Sequence, residues 1–271
     1  MRLVESYVEE WQQPEGKEGV FAMIEKVARI CYASFNTTGE SSREFVERVL
    51  INHDHARPLE FGSVYLRVPD CEDTAKAIHI FLHDEAAWSK VVYGDDGYWY
   101  VSTNYRSIMK HATTLMEVFE NYWCDPIASK HEVRPCYHFV LSRGIADEFR
   151  THVGLSSMMQ STRYCNYSKD KFNNEVSYVV PEWYKDDTCT TAKRDGFVSI
   201  LQNNEADYLE MLDSGHSPQE ARDVLGLAVR TELVLCGFDE MWINFFYRRC
   251  DPAAHPDARY LAKKLYAMYN K

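Results

Sequence analysis

Apolar residues Val20, Phe21, Ile24, Val27, Ala28 and Cys31 recur at the spacing of one helix face. Ser41-Ser-Arg-Glu44 then places a capping box ahead of Phe45, Val46, Val49 and Leu50, so two helices open the chain. Residues 61–68 alternate as a strand does, 75–83 fit a helix, and the aromatic and β-branched run 98–103 fits another strand. Between them, Tyr93-Gly-Asp-Asp-Gly97 reads as a hairpin turn, with Asp-Gly supplying the positive backbone angles. After Arg134-Pro135 the uninterrupted apolar run 136–141 predicts a buried strand, and Ile145, Phe149 and Val153 predict a helical stripe that stops near Gly154. Residues 155–174 are polar and predict an irregular loop. A longer helix through Phe197, Leu201, Tyr208, Leu209 and Leu212 ends at Gly215, a residue suited to a left-handed terminus. Ser217-Pro-Gln-Glu220 joins an N-cap, a first-turn proline and a third-position glutamate, which starts a short helix carrying Arg222. A strand at 229–236 leads into an amphipathic helix around Trp242, Phe245 and Phe246 that carries Asn244, Arg248 and Arg249, and a last helix runs from Pro256. With no internal repeat and no linker-like stretch, the pattern is a single mixed α and β domain spanning 1–271.

Composition narrows the function. With Lys+Arg 30 against Asp+Glu 41, the net charge is -11, which excludes a broad basic face for nucleic acid and leaves room for a small anion held by a few arginines. Six Trp, 18 Tyr and 13 Phe exclude a disordered chain. No run approaches the roughly 18 apolar residues of a membrane span, and the first residues lack a secretory pattern, so the expected location is the cytoplasm. The eight cysteines include no C-x-x-C pair, which fits reduced thiols in such a compartment.

Among candidate chemistries, His53-Asp-His55 is the one close histidine pair and better suits a helix C-terminus than a metal, so no metal site is expected. Pro135-Cys136 repeats the dipeptide that bears the attacking thiolate in the cysteine-dependent thymidylate synthases, but Tyr137-His-Phe-Val-Leu141 continues as a core strand, and an apolar setting suppresses thiol reactivity. Glycine-rich phosphate loops are missing. What remains is the stretch 141–167, dense in hydroxyl, amide, guanidinium and imidazole groups. There Ser161 and Arg163 offer a hydroxyl and a planar fork to one phosphate.

His152, Ser156 and Ser161-Thr-Arg163-Tyr164 resemble the signature of the flavin-dependent thymidylate synthases, in which Arg-His-Arg is followed three residues on by Ser and then by Ser-x-Arg-Tyr. Ala28-Arg-Ile-Cys-Tyr32, His55-Ala-Arg-Pro-Leu-Glu60, Thr103-Asn-Tyr-Arg106, Pro218-Gln-Glu-Ala-Arg222, Thr231-Glu-Leu and Phe245-Phe-Tyr-Arg-Arg249 are similar to further segments of that family, in its order. The resemblance implies an α+β fold with a central, mostly antiparallel sheet surrounded by helices. It also implies a homotetramer with shared active sites, in which FAD takes electrons from NADPH and methylenetetrahydrofolate supplies carbon to C5 of dUMP. Ser161, Arg163 and Arg222 then fall to the nucleotide phosphate, and Arg249 to the pyrimidine edge as the catalytic group. Glu148, Arg150 and Gln160 are further substrate contacts, while Ser63, His152 and Asn244 face the flavin. Tyr105, Tyr164 and Trp242 are the aromatic candidates for stacking on folate. Residues 70–134 read as an insertion-like segment.

The sequence departs from the family at defined places. Thr151 and Val153 replace both arginines of Arg-His-Arg, Met158-Met159 stands where polar ligand contacts are common, and Phe61 stands in place of a second histidine. Two alternatives follow from these changes: a relative that alkylates another pyrimidine nucleotide, and a nucleotide-binding subunit that has lost flavin chemistry.

Overall fold

The computed structural model describes residues 1–34 and 39–270. Among the described residues nine strands are formed: β1 (Arg2–Val4), β2 (Tyr7–Glu10), β3 (Ser63–Pro69), β4 (Lys90–Tyr93), β5 (Tyr98–Asn104), β6 (Cys136–Ser142), β7 (Ser156–Met159), β8 (Ser177–Val179) and β9 (Arg230–Cys236). The antiparallel sheet β2-β6-β9-β7 lies at the centre, with an antiparallel sheet β3-β5-β4 and a short parallel pair β1-β8 beside it. Helices flank all three, which gives the expected α+β architecture.

Helix Lys17–Tyr32 joins the two larger sheets, as its predicted stripe requires. Val20, Phe21, Ile24 and Ala28 pack with Val64, Leu66 and Val101 of β3 and β5, while Met23, Val27 and Ile30 pack with Cys136, Met158 and Val234 of the central sheet. Gly62 permits that approach, because a Cβ there would lie 2.6 Å from the Ile24 side chain. Residues 70–134 supply β4, β5 and the helices Tyr105–Lys110 and Ala112–Tyr122, and β5 pairs with β3 from Ser63↔Asn104 to Pro69↔Tyr98. The hairpin turn before β5 forms with Gly97 at φ 78°, and His53 closes its helix through the Arg48 carbonyl at 3.0 Å.

On the other face of the central sheet, helices Arg143–Phe149, Asp239–Arg249 and Pro256–Tyr269 bury a largely aromatic core. Phe149 meets Phe139 edge-on at 5.5 Å and Phe245 at 4.9 Å. Aromatic pairs of this geometry contribute beyond their buried area, by about 0.5–1.5 kcal/mol each. The Phe149–Phe245 contact has a local consequence: it fixes the ends of two helices so that their neighbours Glu148 and Arg249 meet.

Strands β1, β2 and β8 form outside the expected pattern, and two of the expected elements take another form. The helical stripe stops at Phe149, and Val153 is 86% exposed instead of buried. The Thr151 hydroxyl donates to the Glu148 carbonyl at 2.8 Å and closes the helix early, after which Gly154 turns the chain at φ 90°. The expected loop 155–174 contains strand β7, paired with β9 from Ser156↔Cys236 to Met159↔Leu233. Its sequence lacks an apolar run because alternate residues face different environments: Ser156 and Met158 are buried, the latter against Ile30, Phe61 and Val234, while Met159 packs against the opposite aromatic core. The two adjacent methionines are thus plugs on the two faces of one strand.

Candidate active site

Two polar constellations form at the ends of these elements. The first is built on the loop after β7. Ser161 N–H donates to the Cys31 carbonyl at 3.0 Å, tying the loop to the long helix, and the Ser161 hydroxyl accepts from Arg163 N–H at 3.3 Å. Ser217 and Glu220 form the predicted capping box, which sets the short helix Pro218–Ala221. That helix presents Gln219, whose carbonyl oxygen accepts from Arg163 Nε at 2.8 Å, and Arg222, whose Nη1 donates to the Thr162 hydroxyl at 3.3 Å. Two guanidinium groups from positions far apart in sequence therefore lie where the short helix meets this loop, and among the described residues no carboxylate closer than Asp223, 3.8 Å from Arg222, neutralises them. Such a set suits an oxyanion.

The second constellation centres on Arg249. Its Nε donates to His152 Nε2 at 2.8 Å, its Nη1 to Glu148 Oε2 at 2.6 Å, and its Nη2 to the Glu148 carbonyl at 2.6 Å. An arginine can only donate, so His152 accepts through Nε2 and carries its proton on Nδ1. Burial, together with Arg249 and then Arg248, pushes the His152 imidazole down to about 4, and the ring is neutral at pH 7. Arg249 keeps hydrogens on both terminal nitrogens for a further acceptor, and Asn244 on the same helix accepts from Arg248 Nε at 3.3 Å. Among the described residues no hydrogen bond joins this group to the Ser161–Arg163 loop.

Other expected site residues lie elsewhere. Arg150 turns back to Asp147 at 3.0 Å rather than taking the place of a missing motif arginine. Ser63 is buried, and its hydroxyl accepts from Arg134 at 3.3 Å. Of the three aromatic candidates for stacking, Tyr105 and Trp242 are core residues, the indole of the latter donating to the Pro135 carbonyl at 3.3 Å, which leaves Tyr164, 52% exposed. Gln160 is buried at the end of β7, and its amide oxygen accepts from Arg230 Nη1 at 3.4 Å. Arg230 belongs to a chain of charges in which His138 bridges Glu9 at 2.9 Å and Glu232 at 2.8 Å, with Glu232 2.8 Å from Arg230. Burial alone would raise Glu232; His138 and Arg230 hold it at about 2. Burial pushes the Cys136 thiol well above its ordinary range, as its strand position implies. No cluster of metal-ligating side chains occurs among the described residues, and none of their helices is long and apolar enough to cross a membrane.

A family model described as thymidylate synthase complementing protein matches residues 133–271, which hold both constellations. The chain belongs to that family. No curated protein matches it. The thymidylate synthase complementing protein family assigns the chain to thymidylate synthesis, and the matched half contains the central β6-β9-β7 strands, the Ser161–Arg163 loop, Arg222 and the Arg249 group. Thr162, Gln219 and Arg230 were not among the expected site residues. Arg230 opens a strand whose pattern gives no sign of a site residue, and only the Arg163–Gln219 contact sets Gln219 apart from any other helix-surface amide.

Proposed function

We propose that this chain performs the flavin- and folate-dependent reductive methylation of dUMP at C5, with NADPH as reductant and methylenetetrahydrofolate as carbon donor. The observation that carries the reading is the Arg222 guanidinium on the Thr162 hydroxyl, next to Arg163, whose guanidinium is held by Gln219 of the Arg222 helix and whose backbone N–H meets the Ser161 hydroxyl, a set suited to a phosphomonoester. Arg249 then supports the ring: its spare donors meet negative charge that develops on the pyrimidine as C5 becomes nucleophilic. Glu148 and neutral His152 hold the guanidinium in place, so little reorganisation is needed when that charge appears. With Cys136 buried and protonated, no enzyme thiolate is needed.

The residues present fit a flavin on one face. Asn244 and Arg248 lie beside Ile243 and Tyr247, which are 63% and 81% exposed, giving a polar edge next to an apolar surface. Asn244, Arg248 and the His152 edge are the residues that would hold the group, and Ser63, already bound to Arg134, would not. A bound flavin supplies hydride transfer. The apolar exposure of Ile243 and Tyr247 on one helix supports a second copy of the chain covering that face, and with it the homotetramer.

The test is the visible absorption of the purified protein after incubation with FAD, followed by NADPH oxidation with dUMP, dCMP and UMP in turn. A flavin spectrum and oxidation coupled to dTMP formation are expected. A protein that stays colourless, or that couples oxidation to a nucleotide other than dUMP, refutes the reading.

A further inference from the structure

One polar cavity is lined by none of Ser161, Arg163, Arg222 and Arg249. β1, β2, helix Lys17–Tyr32 and residues 167–177 enclose about 890 Å³, within the size range of small-molecule sites, and the cavity meets the candidate active site at Gln160. Its acidic wall residues are already matched: Glu5 pairs with Lys185, Glu175 with the amino terminus at 3.2 Å, and Glu232 with His138 and Arg230. Of the cations, Arg29 pairs with Glu25 at 2.6 Å and Arg230 with Glu232, while Arg2, Lys26 and Lys171 have no carboxylate partner among the described residues. Arg2 has no side-chain partner among the described residues. Lys26 lies 3.8 Å over the Trp11 ring with no carboxylate at ion-pair distance, and Lys171 reaches only the backbone carbonyls of Tyr32 and Ala33. Desolvation pushes the Lys26 ammonium below its ordinary value, with Glu9 acting the other way.

A second, independent feature points the same way. Tyr167 lines the cavity, is 5% exposed, and its buried hydroxyl has no hydrogen-bond partner. Native proteins rarely leave a buried phenol without an acceptor. Cations without anions and a donor without an acceptor call for the same complement, an oxygen-rich anion, while Tyr7, Ile30, Val140 and Phe172 make the remaining wall apolar.

We propose that this cavity is a binding site for a small organic oxyanion with an aromatic body, in which Arg2 and Lys26 supply the charge and the Tyr167 hydroxyl a hydrogen bond. The assignment holds whichever nucleotide the Ser161–Arg163 loop takes.

Isothermal titration of the full chain tests it, with phenyl phosphate and benzoate as probes for the two sources of an oxyanion and benzamidine as a ring of opposite charge. At least one of the first two binds with one-to-one stoichiometry, and benzamidine does not. Lys26→Gln and Arg2→Gln, both on solvent-accessible side chains, each weaken binding about tenfold, and Tyr167→Phe weakens it about fivefold. Arg163→Ala leaves it unchanged. Binding of phenyl phosphate alone assigns a phosphate-bearing ligand, and binding of benzoate alone a carboxylate. Absence of binding by both, equal binding of benzamidine, or full affinity in Lys26→Gln and Arg2→Gln overturns the proposal. Loss of binding in Arg163→Ala in place of those variants puts the anion on the nucleotide loop, which overturns the cavity assignment and leaves the reaction reading standing.

Discussion

Replacing Glu232 by Gln removes one charge from the middle of the half-buried chain Glu9–His138–Glu232–Arg230 with almost no change in shape. The side chain is 24% exposed, and its carboxyl falls from 4.5 to about 2 on folding because His138 and Arg230 outweigh the cost of burial. A depressed carboxyl contributes stability that is fully present above the unfolded value and is lost as pH falls through the folded one. The difference of the two values corresponds to about 3 kcal/mol at pH 7. By the same linkage the contribution falls to about 2 kcal/mol at pH 3.5 and is largely gone near pH 2. Urea unfolding of the wild type and Glu232→Gln at pH 7, 5 and 3.5 reads this directly, provided the m-values agree. The variant is expected to be less stable at pH 7, with the gap narrowing as pH falls. A gap independent of pH, or a variant as stable as the wild type at pH 7, refutes the ion-pair account. Arg230 also holds Gln160, so the same variant should bind dUMP more weakly at pH 7.

Arg249→Ala is expected to lower kcat/KM for dTMP formation by about 100-fold or more while far-UV circular dichroism is unchanged, on the scale of removing one preorganised donor; retained turnover refutes its role. His152 is a base whose value falls from 6.5 to about 4 on folding. The unfolded chain therefore binds its proton first, stability drops between pH 6.5 and 4 by about 3 kcal/mol, and His152→Gln should flatten that part of the stability-pH profile. Cys136→Ala should keep full turnover, as a buried thiol with a raised titration point predicts, with a stability loss of about 1–2 kcal/mol in thermal unfolding. Val153→Arg places a cation on a side chain that is 86% exposed; it should change stability by less than about 0.5 kcal/mol and tighten FAD binding in a fluorescence titration if the flavin lies beside it.

Much of the fold follows from local rules that act within one segment. The stripe Val20 to Cys31, the capping boxes at Ser41 and Ser217, the Asp-Gly turn and the apolar run of β6 are each specified by neighbouring residues, and they form where those residues place them. The Ser161–Arg163 loop was legible as a polar segment for the same reason, since Ser161, Arg163 and Tyr164 stand close together in sequence. β7 was not. A strand of two serines and two methionines has no period of its own, and it exists because β9 offers a free edge and the two faces of the sheet offer different cores.

The sequence by itself determined most of the helices, the strands β3, β5, β6 and β9, the mixed α and β class and the polar segment in which to look for chemistry. Tertiary structure decided which of those polar groups meet. Nothing within a few residues of Arg249 indicates that it lies on His152 and Glu148; the Phe149–Phe245 contact between two helices decides that. Likewise Arg150, next to the altered motif, is bound to its own helix, while Arg222 reaches the Thr162 hydroxyl across a long sequence separation. Backbone preferences and periodicity act over a few residues, whereas a site is an encounter between side chains whose positions are set by packing of the whole core.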